Sequence, residues 1–339
     1  MPAQAENAPR LSLLDLVTVR EGGTTADAID LAVRTARHVE TLGFTRVWLA
    51  EHHNMPGIAS SSTAVLVGHV AGATERIRVG SGGVMLPNHA PLVVAEAFGT
   101  LEAMYPGRID LGLGRAPGTD RTTMRALRRD RVETEADFPR EVGEILRLLD
   151  DPEPGQTIIA VPGAGSKVPV WLLGSSLFSA TLAAQLGLPY AFASHFAPRM
   201  LHQALAVYRE HFQPSAHLAA PYVIVGVPVV AADTDAEAEH LASTVQQRVL
   251  GIVRGERRAL PPPVDGFMAG LSPYEREAIG GFLGAAVIGG PATLKAGFEA
   301  LHAATRADEF MLVSDVFDPS ARLHSLSLAA AAVGLAPAA

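Results

Sequence analysis

Residues 77–114 read IRVGSGGVMLPNHAPLVVAEAFGTLEAMYPGRIDLGLG, and this stretch decides the fold. A short apolar run that begins at Ile77 predicts a strand, Pro91 suits the first turn of a helix, and 108–114 (RIDLGLG) predicts the next strand. Strands that are apolar throughout are typical of parallel sheets, whose neighbouring strands are joined by crossover helices. The stretch therefore predicts one strand–helix–strand unit of a parallel α/β fold.

The same alternation extends outward to both ends of the chain. Eight strands are predicted, with helices between them, at 11–19, 44–50, 77–86, 108–114, 170–173, 190–194, 222–230 and 309–313. Eight such units favour a (β/α)8 TIM barrel. A doubly wound open sheet is the alternative, but no G-x-G-x-x-G follows the first strand. The chain 1–339 is predicted to form one domain, with Pro- and Gly-rich insertions after strands four and seven at about 150–168 and 254–290.

Composition excludes several classes of function. The chain has 339 residues, 27 Lys and Arg against 35 Asp and Glu, a net charge of −8 and no Cys. A disulfide framework, a zinc–thiolate site and a cysteine nucleophile are therefore excluded, and nucleic-acid binding is not expected of a net negative chain. Because no long apolar segment stands out, we expect a soluble cytoplasmic protein that does not enter a membrane.

Polar residues follow the second predicted strand, where a TIM barrel carries its active site. Glu51, His52 and His53 stand there together. An imidazole at this place suits a general acid or base, oriented by Glu51 or by another group. A metal site and a purely structural histidine are the alternatives. We predict no metal, because adjacent residues at a strand end point to opposite faces and no further ligand follows at a suitable spacing.

Glycines, an arginine and serines lie in or directly after three other predicted strands. The glycines of 80–83 would let a flat ligand approach the backbone, or would form an ordinary turn. Arg115 offers a forked donor to an anion, or a surface ion pair. The loop 174–176 (Gly-Ser-Ser) could hold a phosphate at a helix N-terminus, or only cap the helix. A rival phosphate site is 289–291 (Gly-Gly-Pro) with Thr293, which opens the last barrel helix.

Four stretches carry a resemblance to a known family. They are WLAEHHNMPGIASSS (48–62), IRVGSGGVMLPNHAPLVVAE (77–96), YPGRIDLGLGRAPGTD (105–120) and VPVWLLGSSLFSATLAAQLGLP (168–189). They resemble the bacterial luciferase-like flavin-dependent monooxygenases, and most of all the single-chain, stand-alone branch. The resemblance extends over nearly the whole chain.

The resemblance implies a (β/α)8 barrel that binds FMN, or less often a deazaflavin, at the C-terminal ends of its strands. It implies a non-prolyl cis peptide behind the flavin ring at Gly82–Gly83 and a ring contact from Leu173. Cofactor-phosphate contacts are implied for Arg115, Gly174, Ser175, Ser176 and Ser179. It places the catalytic histidine at His52, next to Glu51. The substrate pocket is predicted to contain Val17, Thr18, Ser194 and His195, the last two standing where the family has a tryptophan.

The function that follows is an FMN-dependent monooxygenase that oxidises a small organic molecule with O2. Because no dinucleotide fingerprint is present, reduced FMN is expected from a separate, transiently bound flavin reductase. A homodimer packed through helices near 60–73 and 91–104 is implied by the family, and 254–290 is the candidate lid. Two alternatives stay open. One is a deazaflavin-dependent hydride-transfer enzyme, and the other is a flavin-binding protein without catalysis.

Overall fold

The computed structural model describes residues 8–116, 121–127 and 136–335 of the chain. Its strands are β1 (Arg10–Asp15), β2 (Arg46–Leu49), β3 (Arg78–Met85), β4 (Ile109–Gly114), β5 (Val170–Gly174), β6 (Tyr190–Phe192), β7 (Val223–Ala231), β8 (Val287–Gly289) and β9 (Glu309–Val313). Its α-helices are α1 (Thr25–Thr41), α2 (Thr63–Ala73), α3 (Pro91–Met104), α4 (Arg121–Leu127), α5 (Asp137–Leu149), α6 (Leu177–Leu186), α7 (Leu201–Glu210), α8 (Asp235–Arg254), α9 (Pro273–Phe282), α10 (Pro291–Thr305) and α11 (Pro319–Ala332).

Eight parallel strands close into a ring. Strands β1 to β6 pair in chain order, β6 pairs with β7, β7 with β9, and β9 with β1. Helices follow the strands and cover the outside of the ring. The predicted (β/α)8 TIM barrel is confirmed, and the eight ring strands are those that the sequence indicates. The C-terminal ends of these strands form the mouth of the barrel.

The ninth strand, β8, lies outside the ring and was missed by the sequence prediction. The first part of the long β7 pairs with β9, whereas its end, Val229–Ala231, pairs with β8. The three residues of β8 are too few for a periodic signal, and they lie in the predicted insertion 254–290. The strand β7 therefore extends past the ring and carries β8 at the rim of the mouth.

Two apolar layers result from the alternation of side chains along the strands. One layer lies between the strands and the helices and includes Leu13, Val47 and Phe98. The other fills the barrel itself, where Trp48 meets Trp171 edge to face with ring centroids 5.3 Å apart. This inner layer is the floor beneath the mouth.

A buried ionic network closes the opposite end of the barrel. Arg46 donates hydrogen bonds to Asp110 at 2.7 Å and to Glu309 at 2.8 Å. Its guanidinium lies 4.4 Å from the centre of the Trp171 ring. Burial by itself would lower the pKa of Arg46, but the two carboxylates raise it above its ordinary value. The charges are tolerated inside the barrel because they are paired.

The candidate lid, 254–290, carries α9 and β8 and lies against α8. A satellite cluster of apolar residues joins these elements, and we call it the rim cluster: Val245, Val249 and Leu250 of α8, Ile279 of α9, and Val316. The other predicted insertion, 150–168, which follows β4, contains turns and no helix or strand. In the described residues, no helix is both long and apolar enough to cross a membrane.

Apolar side chains lie on the outer faces of α2 and α3. Val65 is 68% exposed, Val93 59% and Met104 58%. Single exposed apolar residues are common on protein surfaces, but three on two adjacent helices form a candidate contact surface.

Candidate active site

The glycines of β3 form one wall of the mouth, as the sequence indicates. The peptide bond Gly82–Gly83 is cis, so the prediction made from the resemblance is confirmed. A Cβ at Gly82 would lie 2.8 Å from Cδ1 of Leu14 and 2.9 Å from Cβ of Trp48, which is too close for any side chain. A Cβ at Gly112 of β4 would lie 2.8 Å from Cδ1 of Leu173. Leu14, Trp48 and Leu173 therefore pack directly on the backbone of β3 and β4, which only glycine permits.

Arg115 lies beside the loop that follows β5. Its guanidinium carbon is 4.2 Å from the centre of the Phe178 ring, in the first turn of α6. The N-cap of α6 is Ser176, and its hydroxyl makes no capping hydrogen bond. The first N–H groups of a helix attract anions, and here no side chain caps them. The structure thus brings together a cation, an uncapped helix and the hydroxyls of Ser175 and Ser176.

Ser179, predicted among the phosphate contacts, has another position. Its Oγ lies beneath Gly174, where a Cβ would come within 2.1 Å of it. It donates to the carbonyl of Ser176 at 3.0 Å and lies 3.1 Å from the Tyr190 hydroxyl. The hydroxyl of Ser179 therefore supports the loop from below.

The prediction of a rival phosphate site at 289–291 is wrong. The N–H of Gly290 donates to Oδ1 of Asp235 at 2.6 Å, so a carboxylate of the chain already takes this helix N-terminus. The hydrogen bonds to Gly290 and Thr293 lower the pKa of Asp235, which keeps the carboxylate charged. The site also belongs to β8, outside the ring.

Glu51 lies at the centre of a hydrogen-bond network. Its Oε1 is 2.9 Å from Nε2 of His53 and 2.8 Å from Nε2 of His89, and its Oε2 accepts the Met85 N–H at 3.2 Å. Burial would raise the pKa of Glu51, but hydrogen bonds from His89, His53 and Met85 together lower it below its ordinary value. Among the described residues, none of the hydrogen bonds of Glu51 goes to His52. Glu51 therefore orients His53 and His89.

These three residues also form a group with the donor atoms of a metal site. The ligand atoms of Glu51, His53 and His89 all lie within 4.8 Å of one another. The third ligand was not predicted from the sequence, because His89 follows Glu51 only after a strand and a turn. The same atoms are joined by the hydrogen bonds from the two rings to the carboxylate.

Two of the four predicted pocket residues point elsewhere. Val17 is 1% exposed and packs in the layer between strands and helices. The strand β1 ends before it because Asp15 accepts the Val17 N–H at 2.7 Å and Val17 has φ of 51°. Ser194 is fully buried and donates from Oγ to the Gly226 carbonyl at 2.6 Å. Thr18, which pairs with Ile58, and His195 remain at the mouth.

His195 lies across the mouth from His52, because β6 and β2 are opposite strands of the ring. Its Nδ1 would be 2.5 Å from a Cβ at Gly226, so only glycine leaves room for the ring. Burial lowers the pKa of His195 to about 3, and the charges of Arg248 and His52 contribute. The imidazole is therefore neutral near pH 7.

Arg248 and Asp315 form an ion pair at the rim that the sequence analysis missed. Nη1 of Arg248 donates to Oδ2 of Asp315 at 2.6 Å. Arg248 is the only charged residue of 242–251, a stretch of α8 that is otherwise buried. One charge in a buried helix was the sequence signal that could have indicated it.

The first part of the candidate lid crosses the loops after β1 and β2. The N–H of Glu21 donates to the Leu260 carbonyl at 2.8 Å, and the Leu260 N–H donates to the Val19 carbonyl at 2.8 Å. A Cβ at Gly57 would lie 2.2 Å from the Arg258 carbonyl oxygen. This segment therefore covers the side of the mouth where His52 is located.

Comparisons with known proteins agree with this geometry. Residues 10–307 match the family model of luciferase-like monooxygenases. A luciferase-like monooxygenase of Escherichia coli (strain K12) is 51% identical over 318 residues, which cover 94% of this chain and 95% of the relative. An N-acetyl-S-alkylcysteine monooxygenase of Bacillus subtilis (strain 168) is 36% identical over 252 residues, or 71% and 73% of the two chains. The crystal structure of apo-MsnO8 superposes with a TM-score of 0.86 at 34% identity, over 97% of this chain and 100% of that one.

The barrel, its cis diglycine and these relatives define an enzyme of the flavin-dependent oxidoreductase class. Within that class, the chain belongs to the luciferase-like monooxygenase family, whose model matches most of its length. The resemblance found in the sequence is confirmed.

Proposed function

We propose that this enzyme uses reduced FMN and O2 to oxidise a small organic molecule at the mouth of the barrel. The observation that carries the proposal is the joint placement of Arg115, stacked on Phe178, and the uncapped first turn of α6. A guanidinium beside free helix N–H groups suits a phosphate monoester. FMN ends in such a phosphate.

Residues of the mouth suit the phosphate and the ring of this cofactor. Arg115, Gly174, Ser175 and Ser176 would hold the phosphate, and Leu173 with the bare backbone of Gly82–Gly83 would contact the ring. Bound reduced FMN would supply the electrons and the activation of O2. The apolar floor and the lid segment would keep water away from the reacting atoms.

His52 is the proposed catalytic residue of this chain. It follows Ala50 and Trp48, which both belong to the inner layer of the barrel, and its charge acts on His195 across the mouth. An imidazole at this place can hold or transfer a proton at the substrate. Glu51 contributes by fixing the neighbouring histidines.

We also propose that a separate flavin reductase supplies reduced FMN. The chain has no dinucleotide fingerprint, and the Arg115 site offers one phosphate anchor. Reduced flavin would then arrive by diffusion from a transient partner, in the cytoplasm, where reduced nicotinamide is available. Purified protein with FMN and NADH alone should consume O2 no faster than the mixture without protein.

A direct test compares cofactors and oxygen use. FMN and the deazaflavin F420 are titrated into flavin-free protein, and O2 consumption is followed with a flavin reductase and a panel of thioethers, ketones and aldehydes. Tighter binding of FMN and substrate-dependent O2 uptake are expected. Preferential binding of F420 with hydride transfer and no O2 uptake would instead favour the deazaflavin enzyme. Binding of FMN without any turnover across the panel would favour a non-catalytic flavin protein.

His52→Ala is the variant for the catalytic role, with His217→Ala as its control. His217 is exposed and lies near Pro189, at the opposite end of the barrel. We expect His52→Ala to abolish turnover while FMN affinity stays within a few-fold, and the control to behave as the parent protein. Unchanged turnover in His52→Ala would remove His52 from the proposal.

We further propose a homodimer through the outer faces of α2 and α3. The exposed Val65, Val93 and Met104 support it.

A further inference from the structure

Three polar residues gather on the side of the mouth formed by β6, β7 and β9. We call them the donor cluster: His195, Arg248 and Asp315. This side lies away from Arg115, which follows β4 and faces the loop after β5. The flavin proposal gives the donor cluster no role. The inference below rests on that proposal only in assuming that the mouth is the active site.

His195 is held in one orientation. Its Nδ1 is buried against Gly226 and has no hydrogen-bond partner among the residues that the structure describes. Ser194 links the backbone next to His195 to the backbone of Gly226, because its Oγ donates to the Gly226 carbonyl at 2.6 Å. The ring edge that carries Nε2 is therefore the edge directed to the mouth.

The protonation state of His195 follows from this position. Burial first, then the charges of Arg248 and His52, lower its pKa to about 3, so the ring is neutral. A proton on the buried Nδ1 would have no acceptor, which is costly for an N–H group. The favoured tautomer carries its proton on Nε2. His195 thus presents an uncharged hydrogen-bond donor to the mouth.

Arg248 adds a charged donor. A guanidinium has five N–H groups, and within the described part of the chain only one of them has an acceptor, Oδ2 of Asp315 at 2.6 Å. The Arg248 side chain is 20% exposed and that of Asp315 11%. Asp315 orients the guanidinium and makes its burial tolerable, while the remaining N–H groups stay available to a ligand.

Both available groups are donors, so the matching part of a ligand is an acceptor. The free edge of a guanidinium binds the two oxygens of a carboxylate side by side, and a neutral imidazole N–H can add a third hydrogen bond. We propose that the donor cluster binds the carboxylate of the substrate, and that the enzyme therefore acts on small organic acids. Arg248 supplies the charge, His195 the directional donor, and Asp315 positions Arg248.

The test measures binding to flavin-free protein with matched probes, 3-phenylpropionate and its uncharged amide. We expect the acid to bind about tenfold or more tightly than the amide at pH 7, because hydrogen bonds to a charged partner are strong. Arg248→Met should remove most of this preference. Arg254→Met is the matched control, since Arg254 ends the same helix, pairs with Glu275 and is half exposed. It should keep the preference in full.

Arg248→Met leaves the carboxylate of Asp315 without its partner and could impair folding. The double variant Arg248→Gln with Asp315→Asn removes both charges together and should lose the acid preference while remaining folded. Nitrogen-15 NMR of the imidazoles should show His195 neutral, protonated at Nε2 at pH 7, and shifted by the acid.

Several results would overturn the assignment. The first three are equal binding of acid and amide, no binding of either, and an acid preference that survives both Arg248 variants. Benzoate and benzenesulfonate serve as a second pair of probes, and tighter binding of benzenesulfonate is the fourth. FMN affinity is measured in the same variants. A parent protein that binds FMN but shows no preference for the acid would refute this inference alone. Failure of the flavin proposal would instead appear as absent FMN binding.

Discussion

Replacing Arg115 by Met tests the phosphate site directly. The guanidinium stacks on Phe178 and lies next to the uncapped start of α6, so it should make charge-assisted hydrogen bonds to a phosphate. Such bonds contribute about 1.5–3 kcal/mol each, which corresponds to about a 10- to 150-fold change in Kd. FMN fluorescence quenching on titration measures this change.

Riboflavin, which has no phosphate, gives the internal comparison. If Arg115 acts on the phosphate alone, Arg115→Met weakens the binding of FMN by the full factor and leaves the binding of riboflavin nearly unchanged. Arg140→Met serves as the control, because the Arg140 side chain is 70% exposed and pairs with the nearby Asp137. It should leave both affinities as they are.

Phe178→Leu tests the stacking that holds Arg115 in place. An exposed cation–π contact contributes about 0.5–1 kcal/mol, so FMN binding should weaken by about 2- to 5-fold, less than in Arg115→Met.

The assignment of Arg115 to the phosphate is refuted if Arg115→Met weakens riboflavin binding as much as FMN binding, so that the ratio of the two affinities does not change.

Three further predictions concern other parts of the molecule. In Gly226→Ala the new Cβ would lie 2.5 Å from Nδ1 of His195, so the ring must move by about 1 Å. We expect a folded protein that binds 3-phenylpropionate more weakly. Unchanged binding would contradict the close packing of the His195 ring against Gly226. Glu51→Gln should lower the free energy of unfolding by about 1–3 kcal/mol at pH 7. Because the pKa of Glu51 is lowered in the folded protein, this loss of stability should be present above the ordinary pKa of 4.5 and should shrink as the pH falls below that value. Thermal unfolding at pH 7 and pH 4 measures the loss. An equal loss at both pH values would be evidence against the network around His89. Val65→Glu places a charge on the exposed face of α2 and should give monomers in light scattering, whereas a dimer of unchanged affinity would exclude this face as the interface.

The sequence by itself determined the architecture. Each ring strand of a parallel barrel is buried along its whole length, so its apolar residues are consecutive and visible in a short window. Glycines at 80–83 and Arg115 at strand ends indicated where the mouth is, and the cis bond at Gly82–Gly83 followed from the resemblance. These features depend on residues within one unit of the chain, which is why a linear reading detects them.

Side-chain direction at strand ends was less predictable. Val17 and Ser194 were expected in the pocket, yet a turn made by Asp15 and the carbonyl of Gly226 direct them into the protein. Once a strand ends, the alternation of faces ends with it, and a single local hydrogen bond then decides which way a side chain points.

Only the tertiary structure decided which distant residues meet. His89 reaches Glu51, and Arg248 of α8 reaches Asp315 after β9, although each pair is far apart in sequence. Asp235 blocks the helix N-terminus at Gly290 for the same reason. These contacts depend on the closure of the ring and on the packing of α8 against its rim, and neither leaves a periodic signal in the chain. The barrel is therefore encoded in local patterns of burial, and the chemistry of its mouth in contacts that exist only after folding.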